Sequence, residues 1–105
     1  MFALLLLACT PAPRADLRVL AAASLTDALP EVARAWEAAG QPRVAFTFDG
    51  TSRLARQLDE GAPADLFLSA DEAWTDWGVE RGLLDPATRR DLLGGSLVAV
   101  VPASR

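Results

Sequence analysis

Residues 17–27 read LRVLAAASLTD, a short apolar run that leads directly into helix-start residues. The run has the length and composition of a buried β-strand, and Ser24, Thr26 and Asp27 favour the first positions of a helix. Apolar residues then recur at spacings of four, three and four, which places them on one helical face: Leu25, Leu29, Val32 and Trp36. The segment therefore predicts a strand followed by an amphipathic helix, which Gly40 ends.

The alternation of strands and helices continues along the rest of the chain. Further strands are predicted at 43–48, 64–69 and 96–101, and further helices at 52–60, 71–82 and 85–93. Strands that alternate with helices form a parallel sheet covered on both faces, with right-handed crossovers. We therefore expect an α/β lobe with a four-stranded parallel sheet. Because the sequence stops directly after the last strand, we also expect a second lobe to be absent from it.

The composition restricts the function classes. The chain has 105 residues, of which 51% are hydrophobic and 23% are charged, so it should fold as one domain. Its net charge of −4 argues against a nucleic-acid binder, which needs a basic face. It does not argue against an anion site made of neutral hydroxyl and amide donors. With no His and one Cys, a His-based triad, a His-based metal cluster and an internal disulfide are excluded.

The N-terminus predicts an export signal. Phe2–Ala8 is an apolar run that ends at Cys9; it is too short to span a bilayer but long enough for the core of a secretory signal. The segment before Cys9 resembles a bacterial lipoprotein processing box, although Leu7 fits its position poorly and no basic segment precedes the run. The alternative is a buried strand with an incidental Cys. We predict that residues 1–15 are a signal peptide or lipoprotein signal with a short linker.

Two strand-to-helix junctions, 22–26 and 49–52, are rich in hydroxyl groups. In open parallel sheets, ligands bind beyond the carboxyl ends of the strands. Each helix N-terminus there offers unpaired N–H groups and a partial positive charge, and each hydroxyl adds a donor. Two such ends that face each other would give at least four donors to one tetrahedral oxyanion. Gly50 would let the backbone approach the anion closely.

The same hydroxyl groups also have a simpler interpretation. A Ser or Thr before a helix is most often an N-cap whose oxygen is occupied by its own backbone. The carboxylate of Asp49 would moreover repel an anion, unless it turned away toward Arg53. From the pattern alone, helix capping and anion binding both remain open.

Several segments resemble the periplasmic molybdate-binding proteins of bacteria. Residues 21–29 (AAASLTDAL) are similar to the opening motif of that family, and 48–58 (FDGTSRLARQL) are similar to its second ligand loop. The most specific match is 60–71 (EGAPADLFLSAD). Trp74, Thr88, Arg89, 92–94 and 97–98 follow in the order that the family shows. The resemblance covers residues 17–102.

The resemblance implies a type II periplasmic-binding-protein-like fold, in which two lobes clamp the ligand. Residues 16–102 would be the first lobe, and 103–105 would begin the hinge into the missing second lobe. Ser24 and Thr51 would then be the ligand-binding residues of the first lobe, each through its hydroxyl and backbone N–H. Thr51 stands where the family usually has Ser, and Asp49-Gly50 departs from the small or hydroxyl residues of the family pattern, which leaves fine selectivity open.

The resemblance also implies a function. We expect extracytoplasmic binding of molybdate or tungstate and delivery to the permease of an ABC importer, with no catalysis, no cofactor and no metal cation held directly. Leu25 and Ser52 are candidate additional backbone donors. We expect a monomer that is periplasmic or otherwise extracytoplasmic, with Cys9 as the candidate lipidation site for a membrane anchor. Another small anion remains an alternative ligand.

Other residues suggest rival functions. Asp65 and Asp71 would form the acid–base pair of a small α/β hydrolase, although Asp71 is more simply a helix cap. Trp74 and Trp77, three residues apart on a helix, favour packing over ligand stacking. The pair Arg89-Arg90 favours a solvated face over a phosphate clamp. Cys9 has no His partner in the chain, which argues against a catalytic thiol.

Overall fold

A three-stranded parallel sheet forms the centre of the computed structural model, which describes residues 16–94 and residue 103. Strand β1 spans Leu17–Ala22, β2 spans Val44–Asp49 and β3 spans Leu66–Leu68, in the order β2-β1-β3. The predicted parallel α/β architecture is confirmed for these residues. The predicted signal segment and the predicted fourth strand lie outside the described residues.

Three helices follow the three strands. Helix α1 spans Ala28–Ala38, α2 spans Thr51–Asp59 and α3 spans Glu72–Glu80. Helix α1 begins later than predicted, because Ala23–Leu25 form a separate 3₁₀ turn and the Thr26 hydroxyl donates to the Ala23 carbonyl oxygen (2.6 Å). The ends of α1 and α2 are as predicted, since the next glycines, Gly40 and Gly61, have positive φ angles of 84° and 93°. Three strand–helix pairs were therefore placed correctly from sequence.

The predicted helix over 85–93 is wrong. Only Pro86–Thr88 are helical, as a single 3₁₀ turn that Asp85 caps by accepting the N–H of Ala87 (3.0 Å). The helix-start signal was interpreted correctly, but Leu92 and Leu93 are 67% and 78% exposed. A short helix gains most of its stability from burying an apolar face, so a turn without such a face does not extend.

The core lies between β1 and helix α2. Val19, Leu20, Ala21 and Ala22 of β1 are buried, as are Leu54 and Ala55 of α2. Because side chains alternate along a strand, Leu20 and Ala22 point to the face that α2 covers, and Val19 points to the opposite face, where it lines a groove. Because β1 is the central strand, it has neighbours on both edges as well as on this face. The core therefore fixes α2 directly above the strand whose end leads to Ser24.

The opposite face of the sheet is only partly covered by α1. The sheet was predicted to be covered on both faces, but in the apolar stripe of α1 Val32 is 62% exposed and Trp36 is 42% exposed. Together with residues of all three strands, they line an open apolar groove of about 260 Å³. The stripe faces the sheet as predicted, but within the described residues nothing covers its outer side.

Candidate anion-binding site

The register of the sheet brings the two predicted loops to the same edge. Ala22 of β1 pairs with Asp49 of β2 in a parallel register. Ser24 and Thr51 each stand two residues beyond this pair, and adjacent strands lie about 4.8 Å apart. Both residues therefore leave the carboxyl edge of the sheet (where the parallel strands end) at the same level.

Ser24 lies in the 3₁₀ turn after β1. It is exposed, and within residues 16–94 no group accepts a hydrogen bond from its hydroxyl. The capping interpretation is wrong here, because Ala22 is the residue at the N-cap position and the turn has no side-chain cap. Ser24 also lines a small pocket of about 170 Å³, whose other described walls are Ala22, Leu25, Ser69, Ala70 and Leu93. Its hydroxyl is thus available at a concave surface.

Thr51 is the first residue of α2 and is buried, with 8% of its surface exposed. The residue at the N-cap position is Gly50, which has no side chain, so the capping interpretation is wrong here too. The N–H groups of Arg53 and Leu54 donate to the Gly50 carbonyl oxygen (3.0 and 3.1 Å). The N–H groups of Thr51 and Ser52 precede these and have no acceptor inside the helix. They point out of the positive end of the helix dipole.

A third loop joins the two that the sequence predicted. The Ala70 N–H donates to the Thr51 Oγ1 atom at 3.0 Å, which ties the loop after β3 to the start of α2. The contribution of Ser69 and Ala70 was missed at the sequence level. A signal was present, because Ser69 is the last residue of the third predicted strand, and parallel strands end at one edge. We call residues 22–25, 49–52 and 69–70 together the three-loop site.

The donors of the three-loop site differ in whether they already have a hydrogen-bond acceptor within the protein. Ser69 is engaged within its own turn, since its hydroxyl donates to the Asp71 carbonyl oxygen (2.5 Å) and accepts the Asp71 N–H (3.2 Å). Leu25 ends a 3₁₀ turn, whose geometry directs its N–H toward the Ala22 carbonyl oxygen. Ser52, in contrast, stands in the first turn of an α-helix, so its N–H is the better candidate donor.

The one charged residue within the three loops is Asp49. Its Oδ1 atom accepts the Gly50 N–H (2.7 Å) and lies 3.6 Å from the Arg53 Nη1 atom. The carboxylate thus pairs with Arg53, the partner that the sequence offered for it, while it stays bonded to the second loop. The donors that the loops present to solvent are therefore neutral amides and hydroxyls.

The geometry gives no support to the hydrolase alternative. Asp65 and Asp71 lie beyond opposite ends of β3, and each carboxylate is bonded to a different backbone N–H. Asp65 accepts the N–H of Arg18 (2.8 Å). Asp71 caps α3 by accepting the N–H of Trp74 (2.9 Å), as predicted. Within the described part of the chain, no group of three or more carboxylates, Cys or His is arranged to hold a metal ion.

The aromatic and arginine pairs are structural. Trp74 and Trp77 pack edge to face with centroids 5.4 Å apart, and the Arg81 guanidinium lies 4.6 Å from the Trp77 ring centroid. These contacts confirm the packing interpretation. Arg89 forms an ion pair and hydrogen bond with Asp76, which raises the pKa of Arg89. Its guanidinium is thus occupied and does not belong to a phosphate clamp.

The role of Asp71 as a cap gives a testable difference between two variants. Asp71→Ala removes the acceptor of the Trp74 N–H and should lower the free energy of unfolding by about 1 kcal/mol. Asp71→Asn keeps a capping oxygen and should stay close to the wild type. Urea unfolding followed by circular dichroism measures both. Equal losses for the two variants would show that the negative charge matters and not the cap.

The fold and the site together define a class of protein. A parallel α/β lobe that presents neutral hydroxyl and amide donors at its carboxyl edge has the architecture of a lobe of a solute-binding protein. The model of one family, bacterial extracellular solute-binding proteins, matches residues 17–105. The chain belongs to this family.

Similar proteins come from several bacteria. The chain is 46% identical over 91 residues to the molybdate-binding protein ModA of Escherichia coli (strain K12), which covers 87% of this chain and 35% of that protein. ModA of Haemophilus influenzae is 44% identical over 94 residues (88% and 37%). The putative ABC transporter substrate-binding lipoprotein YvgL of Bacillus subtilis is 33% identical over 90 residues (85% and 35%). The chain thus spans about a third of the length of these relatives.

In its described part, no helix is long and apolar enough to cross a membrane.

Proposed function

We propose that this chain is the first lobe of an extracytoplasmic protein that binds molybdate or tungstate for an ABC importer. The observation that carries the proposal is that Ser24 and Thr51 stand at the same level at the carboxyl edge, where the first N–H groups of α2 have no acceptor inside the helix. The names of the ModA relatives supply the ligand class. The B. subtilis relative supplies the link to an ABC transporter.

The chemistry of the site suits a tetrahedral dianion. Each anion oxygen accepts hydrogen bonds, and the three-loop site offers the Ser24 hydroxyl and the amides of Thr51 and Ser52. The Thr51 oxygen already accepts the Ala70 N–H, so its own proton is free to donate to the anion. Such a site binds by hydrogen bonds and the helix dipole alone. The proposal therefore includes no catalysis, no cofactor and no bound metal cation.

The proposal extends to location and partners. An export signal in residues 1–15 would carry the protein out of the cytoplasm, and Cys9 would receive a lipid anchor. Residues 103–105 would lead into a hinge, and closure of a second lobe over the anion would be the conformation that the permease of the importer recognises. The binding protein would act as a monomer, since the three-loop site draws its donors from one chain.

Selection among oxyanions should rest on size. Molybdate, tungstate and sulfate carry the same charge and have similar oxygens, so a rigid set of donors distinguishes them mainly by the radius of the anion. We expect molybdate and tungstate to bind with similar affinities and sulfate to bind less tightly. Isothermal titration calorimetry of the protein with each of the three anions measures these affinities. Equal affinity for all three would contradict the size argument.

Ser24→Ala tests the proposal directly. The donors of the described residues approach the anion from one side, so we expect the 105-residue chain to bind molybdate weakly. Removing one exposed hydroxyl should lower this affinity about fivefold. Titration with molybdate, followed through the amide resonances in two-dimensional ¹⁵N NMR spectra, measures weak binding residue by residue. The shifts should centre on Ser24, Thr51 and Ser52.

Ser69→Ala is the matched control, because the Ser69 hydroxyl is occupied by Asp71 and should contribute little to the anion. An absence of shifts in the wild type at any residue of the three-loop site would contradict the proposed function. Equal losses for Ser24→Ala and Ser69→Ala would contradict the role given to Ser24.

A further inference from the structure

An ion pair stands at the entrance of the three-loop site. Asp49 ends β2 and Arg53 lies in the first turn of α2, so the two residues flank the donors of the second loop. The Oδ1 atom of Asp49 lies 3.6 Å from Arg53 Nη1, and the two side chains are 34% and 76% exposed. The charge of the carboxylate is thus held near the site, opposite a largely exposed positive charge.

The carboxylate is close enough to affect an anion. Its Oδ1 atom is 2.7 Å from the Gly50 nitrogen, and successive backbone nitrogens lie at most about 3.8 Å apart. Asp49 Oδ1 is therefore within about 6.5 Å of the Thr51 nitrogen, which is proposed to bind the anion. Through water, a unit charge at such distances changes the affinity for a dianion roughly 3- to 10-fold at low ionic strength. The Arg53 Nη1 atom lies 3.6 Å from that carboxylate oxygen and acts on the anion with the opposite sign.

We infer that Asp49 and Arg53 are an opposed pair that cancels the net charge at the site, so that anions are selected by size and hydrogen-bond geometry. Asp49 weakens the binding of every dianion and Arg53 restores it. This inference rests on the proposed function. It adds two residues that do not donate to the ligand but set how strongly charge alone attracts it. It predicts that a change at either residue alters the affinities for all dianions by the same factor.

The test is a charge cycle with three variants of the 105-residue chain. Asp49→Asn removes the charge but keeps an oxygen that can accept the Gly50 N–H. Arg53→Gln removes the positive charge, and the third variant combines both changes. Each is titrated with molybdate and with sulfate at about 10 mM and about 150 mM ionic strength, where the screening length falls from roughly 30 to 8 Å. The amide resonances of Thr51 and Ser52 report the binding.

The expected results have opposite signs. Asp49→Asn should raise the affinity for both anions roughly 3- to 10-fold at low ionic strength, and Arg53→Gln should lower both affinities by a similar factor. The double variant should return to within about twofold of the wild type. The ratio of molybdate to sulfate affinity should stay constant throughout, and the differences should shrink at the higher ionic strength. A purely structural role of the ion pair would not give this dependence on salt.

Asp59→Asn is the matched control. Asp59 pairs with Arg81 (3.0 Å) at the other end of α2, roughly 12 Å along the helix from Thr51. Its removal should change the affinity no more than about twofold. Weaker binding by Asp49→Asn, or equal effects of Asp49→Asn and Asp59→Asn, would overturn the inference and leave the proposed function standing. A wild type that binds neither anion would overturn both.

Discussion

Leu54→Ala is expected to lower the free energy of unfolding by about 2–5 kcal/mol. Leu54 has no exposed surface, and among the described residues it is the largest side chain that is fully buried. Truncation removes its contacts with the core and leaves a cavity, and both effects destabilise the fold. The core between α2 and β1 has few other large side chains that could move into that cavity. The loss should therefore be a large share of the total stability, which is typically 5–15 kcal/mol.

Urea unfolding, followed through tryptophan fluorescence, measures this loss as a shift of the midpoint. Leu92→Ala is the matched control, since it makes the same substitution at a side chain that is 67% exposed. It should change the free energy of unfolding by no more than about 0.5 kcal/mol. If the two variants were destabilised equally, Leu54 would not be the centre of the core.

Most of the described fold could be predicted from sequence, because its signals are local. The strand over Leu17–Ala22 is apolar except for Arg18, and β2 carries its large apolar residues at every second position, so each has a pattern that six residues suffice to show. Gly40 and Gly61 mark helix ends through a backbone angle that other residues avoid. Such features need no knowledge of distant contacts.

The wrong predictions share a different cause. Whether a helix extends beyond Asp85 depends on a surface against which Leu92 and Leu93 could pack, and sequence does not show that surface. The exposure of Val32 and Trp36 is a similar case. Their spacing indicates which face of α1 is apolar, but the extent to which that face is covered depends on distant residues. Burial is a property of the tertiary structure, and periodicity only indicates its direction.

The predictions for the site divide in the same way, into features with a local signal and features that depend on distant contacts. Ser24 and Thr51 could be placed at one edge because parallel strands end on the same side of a sheet. The contact between Thr51 and Ala70 links residues 19 positions apart, and it depends on how α2 crosses above the sheet. The sequence also left helix capping open for both hydroxyls. In the structure, Gly50 at the N-cap position resolves that question for Thr51, and Ala22 resolves it for Ser24.

Thr51→Val should reduce the binding of molybdate by about 10- to 100-fold, the largest binding effect that we expect of a single substitution. Thr51 is buried, and its hydroxyl oxygen accepts the Ala70 N–H. The proposed second role of the hydroxyl is to donate its proton to the anion. Val has almost the same shape, so the packing of α2 on β1 is retained. The loss of the hydroxyl removes a shielded donor and also releases the third loop from the start of α2.

Thr51→Ser is the decisive comparison, because it keeps the hydroxyl and removes only a methyl group. It should bind molybdate nearly as well as the wild type, with a slightly wider site. The ¹⁵N NMR titration measures both affinities, and the resonances of the β2 strand report whether the fold is intact. If Thr51→Val bound molybdate as tightly as Thr51→Ser, the hydroxyl at this position would serve only to hold Ala70. The anion would then be held by the Ser24 hydroxyl and by backbone amides.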